Sequence, residues 1–417
     1  MNNINALIRE VKFTARDLTV WFWLLVVLSL STLSLWSGLT EVERQNASIQ
    51  SLLAENKEER LSEQKKYDHW GYLAYYSFHL TYDAPSGFAF AAMGLRDSQA
   101  WKHRVRMLAL EGQIYERDVG NPSIALIGRF DFAFFTAFII PIILIMLLFD
   151  LRSSEKAAGR YALLEVTAGN RFSLWGLRAL VRSGGVFLAL ILPLVVVGII
   201  AGIHMGTLFL AILAVLAYMI FWTLLSVYVS AWRKSGSVIL MSLLAIWMLT
   251  AVILPAGLRI AIDKTVHVPS GTDIVMLQRE VVNDAWDIPR EETMNDFFAE
   301  HPEWKDYEPI EDSFEWQWYY AFQQIGDERT KELSTLYRDG RLERDKIASW
   351  FSLLALPSLL ERYLQSLAKT DLKSTIEYEE RVRKYHASLR AFYYPKFFNN
   401  EPFERAELKK LPMYLSH

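Results

Sequence analysis

Residues 184–257 read GGVFLALILPLVVVGIIAGIHMGTLFLAILAVLAYMIFWTLLSVYVSAWRKSGSVILMSLLAIWMLTAVILPAG, and this stretch decides the fold. Its only formally charged side chains are Arg233 and Lys234. A bilayer core about 30 Å thick needs about 20 mostly apolar residues in helix to cross it. The stretch holds three such runs, 186–203, 208–231 and 238–256. They are split by His204-Met205-Gly206 and by Trp232-Arg233-Lys234-Ser235-Gly236-Ser237. Two earlier runs complete a set of five. One is 18–39, with Trp21, Trp23 and Trp36 near its ends as interfacial aromatics, and the other is 130–149, which holds Pro141. A single run of this kind fits a buried helix of a globular protein; five do not. Hydrocarbon leaves backbone polar groups no partner outside the protein, so the spans are expected to be helical. The fold class is mainly α, a polytopic α-helical membrane protein with five clear spans.

The 417 residues include 52% hydrophobic side chains, gathered into these blocks rather than spread evenly. A net charge of −3 offers no basic excess for nucleic acid. The absence of cysteine excludes disulfides, Fe–S clusters and thiolate zinc sites, and suits a chain with large parts in an oxidising compartment. Orientation follows from Lys and Arg in the short flanks. Arg9, Lys12 and Arg16 precede span one. Arg152, Lys156, Arg160, Arg171, Arg178 and Arg182 lie between spans two and three, and Arg233 and Lys234 between four and five. The loop between spans three and four has neither residue. These flanks predict a cytoplasmic N-terminus and a periplasmic C-terminus. Span one is too long, and Ser37-Gly38-Leu39 too poor a cleavage site, for a removed signal peptide, so an uncleaved anchor is expected.

The chain divides accordingly. Residues 1–17 read as a cytoplasmic amphipathic helix with Ile4, Leu7, Ile8 and Val11 on one face. Span one (18–40) leads to a first periplasmic insertion (41–129), whose residues 41–70 predict a projecting helix without a sustained coiled-coil repeat. Residues 104–110 fit a strand or a helix start. Span two (130–150), a cytoplasmic coupling region (151–183) and spans three to five (184–257) follow. Residues 258–417 then form a second, mostly helical periplasmic insertion. Residues 347–360 are apolar but short and contain Pro357, which suits a buried or interfacial helix better than a sixth span. The aromatics from Trp304 to Phe322 and from Tyr385 to Phe398 are expected to fill a domain core rather than line a vestibule.

Several chemistries are absent. No G-x-x-x-x-G-K-[ST], H-E-x-x-H or G-x-S-x-G occurs, so no P-loop, zincin or nucleophile-elbow site is present and the chain is not read as an enzyme. Away from their ends the spans hold no acidic or basic residue, and His204 falls at a loop. Ion-coupled carriers place charged groups at mid-membrane, so their absence points to a device powered from outside. The receiver of that power would be the charged, helix-prone loop at 151–166. Its Leu163 and Leu164 can dock in an apolar groove, and its Gly159 lets the chain bend.

The segment 130–182 resembles the ABC-2 type transporter permeases. In that family a span opening Phe-Asp and carrying a mid-span Pro leads into an elbow of the form Glu-x-x-x-Gly-[Thr/Arg]-x-x-x-Leu. The matching residues here are Phe130, Asp131, Pro141, Glu155, Gly159, Arg160 and Leu164. More particularly, the chain is similar to a bacterial branch with large extracytoplasmic insertions after the first and fifth spans. The matches include Gly94-Leu95-Arg96-Asp97, Asn121-Pro122, Gly128-Arg129, His301-Pro302-Glu303 and Leu411-Pro412. The resemblance implies a permease subunit of an exporter in the bacterial inner membrane, paired with a second copy or a paralogue. ATP and Mg would be bound only by a separate ABC ATP-binding subunit, with no cofactor in this chain. Glu155, Gly159, Arg160, Leu163, Leu164 and Glu165 would couple the two. A further expected partner is a periplasmic or outer-membrane protein. The alternative is a mechanotransmitting subunit that moves such a partner without translocating substrate.

Overall fold

The computed structural model describes residues 3–116, 130–168, 171–307 and 314–416; Asn121-Pro122 and Gly128-Arg129 lie outside them. Five helices among the described residues are long and apolar enough to cross a membrane: Leu18–Lys66, Phe132–Ala157, Leu174–Ile200, Met205–Ser230 and Gly236–Thr265. They place the chain in a membrane. The first is one continuous helix of 49 residues, about 74 Å long, started by the Asp17 carboxylate accepting from the Thr19 amide at 3.0 Å. It carries span one and the expected projecting helix without a break. Span three begins earlier than its apolar run, in a helix over Arg171–Ile200, and so carries Arg178 and Arg182 in its first turns. Span five likewise continues past Pro255 to Thr265. Long Arg side chains can keep their charge at the membrane border while their stems pack, so helix and apolar run need not end together. Spans one and three are tied by the Ser31 hydroxyl donating to the Leu190 carbonyl at 2.9 Å.

Spans two and five each contain a π turn just before a proline, at Phe135–Ile139 before Pro141 and at Leu249–Ile253 before Pro255. Proline has no N–H to give the preceding turn, and the widened turn relieves its ring from the carbonyl behind it. In hydrocarbon a freed carbonyl must find another donor. The Ala137 carbonyl, four residues before Pro141, accepts the Tyr218 hydroxyl, and the Phe138 carbonyl accepts Trp247 Nε1 at 3.1 Å. Spans four and five thus repair the break in span two.

Outside the spans, residues of both insertions share a second core. Trp70, Leu73 and Met107 from the first pack with Phe297, Trp318, Tyr320, Tyr393 and Phe397 from the second. Tyr320 stacks on Phe397 at 4.6 Å and donates to the Gly71 carbonyl at 3.0 Å. The aromatic runs therefore fill a core, as their composition led us to expect. The stretch 104–110 divides between its two alternatives: Lys102–Val105 is a strand, antiparallel to His79–Tyr82 with Leu80 opposite Arg104, and a short helix, Leu110–Tyr115, starts at its other end. This domain meets the long first helix closely. A Cβ on Gly38 would stand 1.8 Å from the Phe90 carbonyl oxygen, so only glycine fits there. Nearby, buried Arg96 pairs with Asp83 at 2.6 Å and donates to Gln45 of the same long helix at 2.9 Å.

The apolar run at 347–360 is divided between two helices, Trp316–Ser352 and Leu356–Ala368, and forms no sixth span. The turn between them exposes Trp350, Phe351, Leu353 and Leu354. The second of these helices, the tip helix, lies against span four, its Leu356, Leu359 and Leu360 facing Leu213, Ala214 and Ala217. The hairpin thus packs beside span four and leaves its apolar turn uncovered by the chain.

One half-buried pair in the extramembrane domain gives a pH-dependent expectation. His301 lies 2.7 Å from Glu328 and 3.3 Å from Glu303. The bond to Glu328 raises the His301 pKa against a burial that lowers it. Burial pushes Glu328 up, yet its bonds from His301 and Gln324 leave it lowered. A histidine held above its unfolded value contributes fully below that value, and the contribution is lost as pH rises through the folded one. A lowered carboxylate contributes above its unfolded value and loses this on acidification. His301→Ala should therefore reduce thermal stability at pH 6, by about 1 kcal/mol or less for so accessible a pair, and have almost no effect at pH 9. Melting curves showing equal losses at both pH values would refute the pairing.

Candidate coupling site

The residues expected to receive a partner lie at the basic end of the spans. After span two a short helix, Ser153–Ala157, stops at Gly159, whose φ of +70° is the left-handed conformation that ends a helix. No atom stands within 4 Å of a Cβ built there, so the backbone angle, not space, calls for glycine. A second helix, Tyr161–Ala168, sets out in a new direction.

What holds this bent elbow is a buried ionic cluster. The Arg178 guanidinium donates to Glu155 Oε1 at 2.9 Å and to Glu10 Oε2 at 3.0 Å. Glu10, Glu155 and Arg178 are 2%, 5% and 6% exposed. Arg160 donates to the other oxygen of Glu155 at 2.8 Å, and Arg9 pairs with Glu10 at 3.3 Å. One arginine of span three's helix thus joins the amphipathic N-terminal helix (Asn3–Thr14) to the elbow. Aromatic rings shield it. Arg178 lies 4.9 Å from the Phe13 ring and 5.4 Å from Trp175, and Tyr161 stacks on Trp175 at 5.7 Å. A turn further along, Arg182 donates to the Leu147 carbonyl at 2.7 Å, capping the end of span two. Arg152 donates to the Val227 carbonyl of span four at 3.2 Å.

The six expected residues divide by this geometry. Gly159 makes the bend, Arg160 clamps Glu155 from the exposed side, and Leu163 is 66% exposed. Leu164 packs partly on the span core, and Glu165 is half-buried. Glu155, expected to face a partner, instead turns inward, because a buried guanidinium attracts its carboxylate more strongly than the surface does. It anchors the elbow to Arg178 and Arg160. Sequence reasoning missed Glu10, Trp175, Arg178 and Val166, the last 83% exposed and one turn beyond Leu163. A signal existed: Trp175, Arg178 and Arg182 fall at i, i+3 and i+7, one face of a helix.

Among the described residues, no group of three or more His, Asp or Glu is placed to hold a metal ion. A family model described as a domain of unknown function (DUF3526) matches residues 273–415, most of the second insertion and less than half of the chain. No curated protein and no solved structure matches.

Proposed function

We propose that this chain is the permease subunit of an ABC-2 type exporter, driven by a separate ATP-hydrolysing subunit that docks at 151–166. The observation that carries this reading is the contrast within the elbow. Leu163 and Val166, at i and i+3, present an exposed apolar edge, while Glu155 and Arg178 fasten the preceding helix of the elbow to the N-terminal helix and span three, and Tyr161 stacks the second helix on Trp175. A force applied to such an edge moves packed spans rather than a slack loop. The basic flanks would put this end in the cytoplasm and the shared domain of the two insertions in the periplasm. The unbroken 49-residue helix from span one into that domain favours, as a second reading, work on a periplasmic partner without passage of substrate.

The test is co-expression of the full chain with candidate ABC ATPase subunits from the genome that encodes it. Leu163→Asp is expected to abolish co-purification and permease-dependent ATP turnover, because a buried unpaired carboxylate costs several kcal/mol. Leu61→Asp, an exposed position on the far part of the first helix, serves as control and should leave both intact. Unaltered ATP turnover in Leu163→Asp, or no co-purification of wild type, would defeat the assignment.

A further inference from the structure

The two arms of the apolar hairpin fix its depth independently. Its first arm, the helix Trp316–Ser352, starts in the aromatic core, where Trp318 and Tyr320 are buried, and then runs antiparallel to the end of span five. A Cβ on Gly340 would stand 2.7 Å from the Val268 side chain. Arg344 donates to the Val266 carbonyl at 2.7 Å and pairs with Asp263 at 2.9 Å, and Ser349 and Ser352 face one cavity with Pro255 and Leu258. Later residues of the arm thus meet earlier residues of span five. Ser352 lies roughly 12 Å of helix beyond Arg344, toward the apolar run 238–256.

The second arm, the tip helix, gives the same depth from span four. Leu360 and Leu364 are buried in the core of the spans, and the tip helix faces Leu213, Ala214 and Ala217. Those three lie roughly 12–18 Å of helix from Met205, the start of span four, inside a hydrocarbon core of about 30 Å. Charge is partitioned at the same level. Residues 347–360 carry none, while Arg344 on one arm and Arg362 on the other are matched by Asp263 and Asp345, each at 2.9 Å. Between them Trp350, Phe351, Leu353 and Leu354 are 70%, 49%, 56% and 64% exposed. Just before Pro255, Val252 and Ile253 of span five are exposed as well, and so is Leu213 beside the tip helix. The bare turn therefore continues the faces that membrane-crossing helices turn to lipid.

We infer that the hairpin is a re-entrant foot, its turn from Trp350 to Leu354 seated in the hydrocarbon of the leaflet nearest the extramembrane domain, so that the partner of this surface is lipid. Water would leave four bulky apolar side chains solvated side by side. Hydrocarbon would instead demand that the turn satisfy its own backbone, and it does. The Leu353 amide donates to the Trp350 carbonyl at 3.3 Å, and the Leu354 amide to the Phe351 carbonyl at 3.0 Å. The Ser352 hydroxyl donates to the Ser349 carbonyl at 2.6 Å. Pro357, in the first turn of the tip helix, has no N–H to satisfy. The foot ties the second insertion to the membrane about 100 residues after span five enters it. The inference needs only that the spans cross a bilayer, and it stands apart from any ATPase partner.

The chain has no cysteine, so single thiols can be placed in the full protein without background. Trp350→Cys, Leu353→Cys and Leu354→Cys each receive a nitrobenzoxadiazole label in phosphatidylcholine nanodiscs. Phe209→Cys, exposed on span four, is the lipid reference, and Leu61→Cys, exposed on the far part of the first helix, is the water reference. The three hairpin labels are expected to lose emission to doxyl-labelled phosphatidylcholine as strongly as the Phe209 position and to resist iodide. The Leu61 position should show the reverse. Adding Leu353→Asp should restore iodide quenching at the Leu354 label, because an unpaired carboxylate is driven out of hydrocarbon. Leu336→Asp, exposed on the same arm above the membrane, controls for folding and should leave the Leu354 label unchanged. Iodide quenching of all three hairpin labels in the otherwise unaltered chain would place the turn in water and overturn the inference. Labels shielded from both quenchers, or label–label quenching that fades when unlabelled chain is mixed in, would give the surface to a protein or a second copy and overturn it too.

Discussion

Arg178→Ala should cost about 3–5 kcal/mol and leave little monodisperse protein after extraction, the largest loss expected of any single change at the basic end of the spans. The substitution removes the one cation that faces both Glu10 and Glu155 inside the protein, at 3.0 and 2.9 Å. Arg160 and Arg9 approach these carboxylates from exposed positions, about two-thirds and one-half accessible, and are too solvated to replace it. Two buried carboxylates then stand side by side without compensation. Arg178→Lys should recover part of the loss, since an ammonium restores the charge without the fork that bonds two carboxylates at once. Glu155→Gln should cost less than Arg178→Ala, because Arg178 keeps Glu10. Size-exclusion profiles after stepped heating would rank the three variants. If Arg178→Ala melts within a degree or two of wild type, the cluster does not hold the elbow. The route by which a docked subunit would move the spans then loses its physical basis.

Asp327→Ala is the second large expectation, and it concerns the extramembrane domain. Four donors converge on this carboxylate: the Leu110 amide at 2.7 Å, the Glu111 amide at 3.1 Å, Gln278 Nε2 at 2.7 Å and Arg390 Nη2 at 2.5 Å. They come from the first insertion, from the helix Gly271–Asp284 and from the C-terminal helix Leu372–Phe398, so one side chain joins segments far apart in sequence. Burial pushes its pKa up, and Arg390 opposes that shift without cancelling it. Removing the carboxylate leaves a buried guanidinium and two backbone N–H groups without acceptors, a loss of about 3–5 kcal/mol. Asp327→Asn keeps an acceptor and should fall between the two. Limited proteolysis of the full chain would report the effect as faster cleavage within 273–415 and unchanged cleavage near the spans. Equal resistance in Asp327→Ala and wild type would show that the aromatic core holds the domain without this bridge.

The spans were legible from the residues because about 20 consecutive apolar side chains serve few purposes other than crossing hydrocarbon. Their internal breaks were not. Pro141 and Pro255 announce a lost hydrogen bond, but whether a helix answers with a kink or a π turn depends on which side chain reaches the freed carbonyl. Tyr218 is 81 residues away from Ala137. The elbow shows the same division. Gly159 as a bend and Leu163 as an exposed contact follow from residue type and local spacing. The inward turn of Glu155 does not, because its partners lie 23 residues ahead at Arg178 and, through it, 168 residues from there at Glu10.

Sequence alone therefore determined the number of spans, the charged ends that bracket them and the residue types available to a partner. Each of these rests on local composition and on a solvent, the bilayer, that enforces a simple rule. Tertiary structure alone decided that residues 347–360 form an apolar hairpin beside span four, that two distant insertions share one aromatic core, and which carboxylates became anchors. Those outcomes depend on contacts between segments tens to hundreds of residues apart. An apolar or charged side chain carries no mark of the neighbour that will satisfy it.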